Sequence, residues 1–213
     1  LTNLAIHERS KLGIAYLPQQ SSIFRGLTVY ENLLAVAQIA IKGVNKQLDI
    51  VEKLMAEFSQ LMRQKLGLYE NTQNTAELVN RWLDLISQDK RDYHISFRLL
   101  CEIDEHGENQ PLVDHFMQRD TAKMWLEHYQ QALITQNVKR QERQANMRNI
   151  NPEYVLRNYQ AQLAIDAAQD GDFSRFRRLL QVLQHPFDGK PEYAEFAKPP
   201  PDWGKHMEIS CSS

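Results

Sequence analysis

The sequence predicts a mainly α chain. Apolar residues recur at three- and four-residue steps along most of its 213 residues. Residues that cap helices stand where several of those stretches begin. With only 8 glycines and few runs of β-branched residues, a sheet-rich fold is not expected.

The elements follow in order. Residues 13–17, an apolar run, read as a short strand, and residues 18–22, starting at Pro18, read as the polar turn that breaks it. Thr28 can cap a helix with Glu31 three residues on, a capping-box spacing, and Val29, Leu33, Val36 and Ala37 follow helical steps. From Leu48 the reading is helical almost throughout. Leu48, Val51, Met55, Phe58, Met62 and Leu66 form one stripe that Gly67 stops. Asn74 with Glu77 opens the next helix, holding Leu78, Trp82, Leu85 and Ile86. Residues 93–100 make a third helix, and 102–110 a polar loop. Asp120 caps a helix with Met124, Trp125, Tyr129 and Leu133 on one side. Residues 138–147 read as its charged, solvated continuation.

Asn151-Pro152-Glu153 reads as a helix start. Asn caps, Pro occupies the first helical position where its missing N–H costs nothing, and Glu faces the positive end of the dipole. That helix carries Val155, Tyr159, Leu163 and Ala167 to near Gly171. Asp172 caps residues 173–183, with Phe173, Phe176, Leu180 and Leu183 inward, and His185-Pro186 closes them. Residues 191–203, with prolines at 199 to 201, read as extended and irregular. No internal repeat of fixed period is visible.

Charge and composition exclude several function classes. The chain has 25 basic and 27 acidic side chains and a formal net charge of -2, so it offers no field to collect nucleic acid. Its longest apolar stretch, residues 33–41, contains Gln38 and falls short of the ~20 residues of a membrane helix, so no membrane insertion is expected. Two cysteines, Cys101 and Cys211, are too few for a disulfide scaffold and suit a reducing compartment. No signal peptide is read, and the chain opens on Leu1. The expected location is the bacterial cytoplasm.

Met147-Arg-Asn-Ile-Asn-Pro-Glu-Tyr-Val-Leu-Arg-Asn158 resembles a block of the selenoprotein O family. The likeness continues through residues 164–168, 171–173, 183–187 and 200–204, and ends with Glu208-Ile-Ser-Cys-Ser-Ser213. Upstream, Leu61-Met-Arg-Gln-Lys-Leu-Gly67 and Asp92-Tyr93 followed by Phe97-Arg98 resemble further blocks of that family. The resemblance covers roughly residues 55–213. It implies a helical C-terminal lobe of a protein-kinase-like fold. For a complete member it implies transfer of AMP from ATP, with Mg or Mn, onto Ser, Thr or Tyr hydroxyls of protein substrates. Only the C-terminal helical portion matches, so none of the family's nucleotide or metal residues is carried over.

A second resemblance covers about residues 1–45. Gly13-Ile-Ala-Tyr-Leu-Pro-Gln19, Ser22-Ile-Phe-Arg25 and Leu27-Thr-Val-Tyr-Glu-Asn32 resemble the Q-loop region of ABC-transporter ATPases, above all the lipopolysaccharide-export ATPase. Gln19 falls on the Q-loop glutamine, which that resemblance places on the metal. The phosphate loop, the signature motif and the Walker B segment have no match. The expectation is therefore a junction between residues 45 and 60. An ABC-like strand-turn-helix appendage (residues 1–50) precedes a selenoprotein O-like helical region (residues 51–213).

The residues themselves show no nucleotide site. Glycines are scattered singly, and Gly189-Lys190 and Gly204-Lys205 are followed by Pro191 and His206, not by the Ser or Thr of a phosphate loop. No catalytic, cofactor-binding or metal residue is assigned, and Gln19 counts as cofactor-binding only inside an ABC ATPase. As the chain stands, it is an ordinary turn residue.

Cys211 is the redox candidate. The family resemblance puts selenocysteine there in some members, and the other reading is an idle tail thiol. Cys101, ending an apolar helix, reads as a buried inert thiol. Glu102, Asp104, Glu105, His106 and Glu108 lack the Asp-rich order of a calcium loop and read as solvated. Lys139, Arg140, Arg143, Arg175, Arg177 and Arg178, interleaved with acidic and Gln residues, read as solvated helix faces rather than an anion patch. Arg157 reads as a structural ion-pair partner, and Trp82, Trp125 and Trp203 as packing anchors.

Three functions follow. The first is the C-terminal part of a protein adenylyltransferase, inactive alone. The second is a piece of the export ATPase, and the third a non-catalytic helical interaction module. Exposed apolar faces are expected to favour self-association.

Overall fold

A computed structural model describes residue 24, residues 26–205 and residue 207. Among these the chain is helical, with no strand. The strand expected at 13–17 lies outside the described residues. No described helix is long and apolar enough to cross a membrane. The chain divides after Glu57 into two compact units.

In the first unit, α1 (Val29–Ala40) begins as the capping box expected. The Glu31 amide donates to Thr28 Oγ1 at 3.2 Å, and the Thr28 amide donates to the Glu31 carboxylate at 2.7 Å. Asn32 clips the preceding turn, taking the Phe24 amide and donating to the Phe24 and Leu27 carbonyls. The expected apolar face is only partly buried: Ala37 is covered, whereas Val29 and Val36 are exposed. Gly43, at φ +98°, makes the turn into α2 (Val44–Lys65).

The second unit holds the core. The last turn of α2 is followed by α3 (Gln73–Gln88), α4 (Tyr93–Leu100), α5 (Gln110–His115) and α6 (Arg119–Thr135). Then come α7 (Arg140–Arg148), α8 (Asn158–Gln169) and α9 (Ser174–Leu183). Trp82 of α3 and Trp125 of α6 meet at its centre, with ring centroids 4.5 Å apart. Phe97 and Phe116 pack edge-on to Trp82, and Tyr129 stacks on Trp125. Leu78, Leu85, Ile86 and Leu133 are buried as expected.

Several expectations are corrected. Helix α3 starts earlier than the Asn74–Glu77 reading: Thr72 is the cap, paired reciprocally with Thr75. Phe58, placed on the buried stripe of α2, is exposed, and so is Met124 of α6. The six-residue α5 was not foreseen. Residues 138–147 do not continue α6, because Asn137 turns the chain at φ +52° before α7 begins. Residues 191–203 are not extended throughout, since 3₁₀ turns cover Pro191–Ala197 and Asp202–Gly204.

The Asn151 cap is the largest correction. No helix starts there, and α8 begins only at Asn158. The Glu153 and Tyr154 amides donate to the Pro186 carbonyl at 2.8 and 3.0 Å, and the Asn151 side chain is used elsewhere. Helix α9 also turns a different face inward. Leu179 and Val182 are buried, whereas Phe173, Phe176 and Leu180 are exposed.

Candidate functional site

Three of the sequence blocks singled out above converge on one polar cluster beside the core. They are residues 61–67 at the end of α2, 92–98 on α4, and 147–158 from α7 to the start of α8. Asp92 serves two elements. One carboxylate oxygen accepts from the Ile95 amide at 3.0 Å and caps α4. The other accepts from Arg157 Nη1 at 2.5 Å. Burial pushes the Asp92 carboxyl up, but the bonds from Arg157 and Ile95 and the charges of Arg157 and His94 outweigh it. The group is held below the usual carboxylate range.

One turn later Arg98 holds the same loop. Its Nε meets Glu153 at 2.5 Å, and its Nη1 donates to the carbonyls of Asn151 at 2.9 Å and Arg148 at 3.3 Å. A guanidinium suits this role because its fixed fork can serve several acceptors at once. Lys65 lies over the Phe97 ring, 4.9 Å from its centroid, and burial lowers its pKa. Burial likewise lowers His94, reinforced by Lys65 and Arg157 and opposed by Asp92. His94 Nδ1 is buried without a partner.

The same loop and α6 together close the end of α2. A helix leaves its last carbonyls without intrahelical donors. Here Asn151 Nδ2 donates to the Lys65 carbonyl at 2.8 Å and Tyr129 Oη to the Leu66 carbonyl at 2.6 Å. Gln136 Nε2 donates to the Gly67 carbonyl at 3.3 Å. Gly67 sits at φ +65°, and a Cβ there would lie 2.6 Å from Met147 Sδ. Burial raises the Tyr129 hydroxyl far above its ordinary pKa.

Chemically, the carboxylates of the cluster are neutralised. Asp92 faces Arg157 and Glu153 faces Arg98. The loop expected to be solvated is tied to α7: Glu102 pairs with Arg148, Asp104 with Arg140, and Glu105 with Arg143 at 2.7 Å. Arg143, read as solvated, is buried. Arg178 pairs with Glu195.

Ser96 and His115 are 2.9 Å apart, but the Ser96 hydroxyl donates to the Asp92 carbonyl at 2.7 Å. The imidazole must therefore be the donor to Ser96, and the pair is not a nucleophile with its base. Among the described residues, no group of three or more His, Cys, Asp or Glu could hold a metal ion.

Arg157 is an ion-pair partner, as read. Cys101 is fully buried, and burial raises its pKa. Trp82 and Trp125 are core residues, and Trp125 Nε1 donates to the Leu78 carbonyl at 3.0 Å. Trp203 packs edge-on to Tyr159 but stays exposed. Gln19 and Cys211 lie outside the described residues. The roles of Arg98, Tyr129 and Gln136 were missed. Arg98 was signalled only by standing in the 92–98 block, and nothing local marks the other two.

The family model described as protein adenylyltransferase SelO matches residues 7–184. Proteins described as protein nucleotidyltransferase YdiU are similar over most of the chain. The one from Pseudoalteromonas atlantica is 86% identical over 180 residues, which is 84% of this chain and 37% of that protein. The one from Vibrio parahaemolyticus is 42% identical over 167 residues, 76% of this chain and 34% of that protein. The one from Aliivibrio salmonicida is 46% identical over 165 residues, 76% of this chain and 33% of that protein. The chain thus spans about a third of the length of these curated relatives. The ABC-ATPase likeness of residues 1–45 finds no support in these comparisons, and the family match runs through the same segment from residue 7. The chain belongs to the protein adenylyltransferase SelO family.

Proposed function

We propose that the chain is the C-terminal helical lobe of a protein adenylyltransferase with a protein-kinase-like fold. The complete enzyme joins the AMP of ATP to a Ser, Thr or Tyr hydroxyl of a protein substrate and releases pyrophosphate, with Mg or Mn. The observation that carries this reading is the 86% identity to the Pseudoalteromonas YdiU protein over 180 residues.

On this reading the chain is catalytically silent by itself. Phosphoryl chemistry needs backbone amides or a Lys on the phosphates and free carboxylates on the metal. The charged residues clustered around α4 and α7 do not fit that group. Asp92, Glu102, Asp104, Glu105 and Glu153 each face an arginine. No step of the transfer is therefore routed through them. Their work is positional: Asp92, Arg98, Asn151 and Arg157 fix the 149–157 loop against α2 and α4. With Cys101 sealed in the core, the redox role implied by the family falls to Cys211.

The test is a mass-shift assay with ATP and Mn²⁺ on an acceptor protein. The full-length Pseudoalteromonas relative is expected to add AMP and this chain alone to add none. AMP transfer by the chain alone would overturn its silence, and failure of the relative would overturn the functional reading.

A further inference from the structure

Beside its packed side, α9 carries an exposed apolar flank. At 100° per residue, Val182, Leu179, Leu183, Phe176, Leu180 and Phe173 sweep about half of the helix circumference. Only part of that arc is used, with Leu179 and Val182 buried. Phe173, Phe176 and Leu180 are 49%, 51% and 46% exposed. They form one wall of a groove whose other wall is Leu156, Ile165 and the alanines of α8. No polar or charged residue lines it, whereas Arg177, Arg178 and Gln181 lie on the other side of α9. The exposed apolar area is on the order of a few hundred Å², the size of the largest patch on an ordinary monomer, which is often functional.

A helix whose apolar arc extends well past the part already packed is built to be covered from two directions. A lining without polar groups resembles a domain core cut open, not the mixed surface of a transient contact. The matched stretch is 37% of the Pseudoalteromonas relative, which leaves close to two-thirds of that protein outside the match. We infer that the α8–α9 groove is the docking face for that remaining part of a full-length family protein, packed on it as a permanent intramolecular interface. The inference rests on the reading of this chain as the C-terminal lobe.

Carbene footprinting tests it. The isolated chain and the full-length Pseudoalteromonas relative are labelled side by side, each normalised to its urea-unfolded state, and the peptide spanning residues 173–183 is read. Labelling at least about fivefold lower in the full-length protein is expected, as for a side chain moved from solvent into an interface core. Equal labelling overturns the inference. So does protection already present in the isolated chain together with elution as a dimer, which would make the occupant a second copy.

Phe176→Asp adds an independent readout. It should leave the melting of the isolated chain nearly unchanged, and it should lower that of the full-length protein when made at the aligned position. Equal effects count against the interface. AMP transfer is measured on the same full-length sample. Lost protection with intact transfer overturns the interface alone, and intact protection without transfer overturns the functional reading alone.

Discussion

Replacing Asp92 by Asn removes a charge but keeps the oxygen that caps α4 through the Ile95 amide. The side chain of Asp92 is 17% exposed and that of Arg157 is 11% exposed. Surface ion pairs contribute below about 1 kcal/mol, whereas stranding one member of a buried pair costs about 3–5 kcal/mol. At this exposure Asp92→Asn should cost about 2–4 kcal/mol, or a fall in Tm of about 5–15 °C for a chain of this size. Removing both partners, Asp92→Asn with Arg157→Met, should cost less than the sum of the single changes, because no guanidinium is then left stranded.

The pH dependence has a definite sign. The folded Asp92 pKa lies below the unfolded value of about 3.9. The stability from the pair is therefore fully present above that pH and is lost as pH falls through the folded value. The difference between the parent and Asp92→Asn should be flat from about pH 5 to 8 and shrink below about pH 4. Urea melts across this range read it. A cost under about 0.5 kcal/mol, or one that persists undiminished in acid, would refute the pairing.

Other perturbations follow from the same contacts. Tyr129→Phe deletes only the hydroxyl on the Leu66 carbonyl and should cost about 1–3 kcal/mol by urea melting. Gly67→Ala combines φ +65° with a Cβ 2.6 Å from Met147 Sδ, and it should cost about 2–4 kcal/mol by the same melt. His94 and His115 both have lowered pKa values, through burial first. Charges reinforce this, Lys65 and Arg157 at His94 and Arg91 at His115, against Asp92 and Asp89. Their contribution is present above about pH 6.5 and is lost as pH falls through each folded value. Thermal melts should thus fall on acidification, and less steeply in His94→Gln with His115→Gln.

What the sequence disclosed follows the range of the forces involved. Helix α4 spans the expected residues 93–100, and its signals are local: Asp92 caps it three residues away, and Phe97 and Leu100 share one face. The same kind of local signal failed at Asn151. Its amide is claimed by the Lys65 carbonyl 86 positions away, and the amides of Glu153 and Tyr154 by Pro186. Arg143 looked solvated because its partner, Glu105, lies 38 positions upstream. Helix α5 is too short to show a period. On α9 the period located the apolar arc but not which part of it packs. The family blocks marked the polar cluster, while the pairing of Arg98 with Glu153 appears only once α4 and the 149–157 loop are brought together.

Calorimetric titration of ATP with Mn²⁺ bears most directly on the claim that this chain is a positioning lobe without its own phosphate grip. The isolated chain should give no saturable heat, and the full-length Pseudoalteromonas relative a stoichiometric binding curve. A stoichiometric curve from the isolated chain would contradict the account.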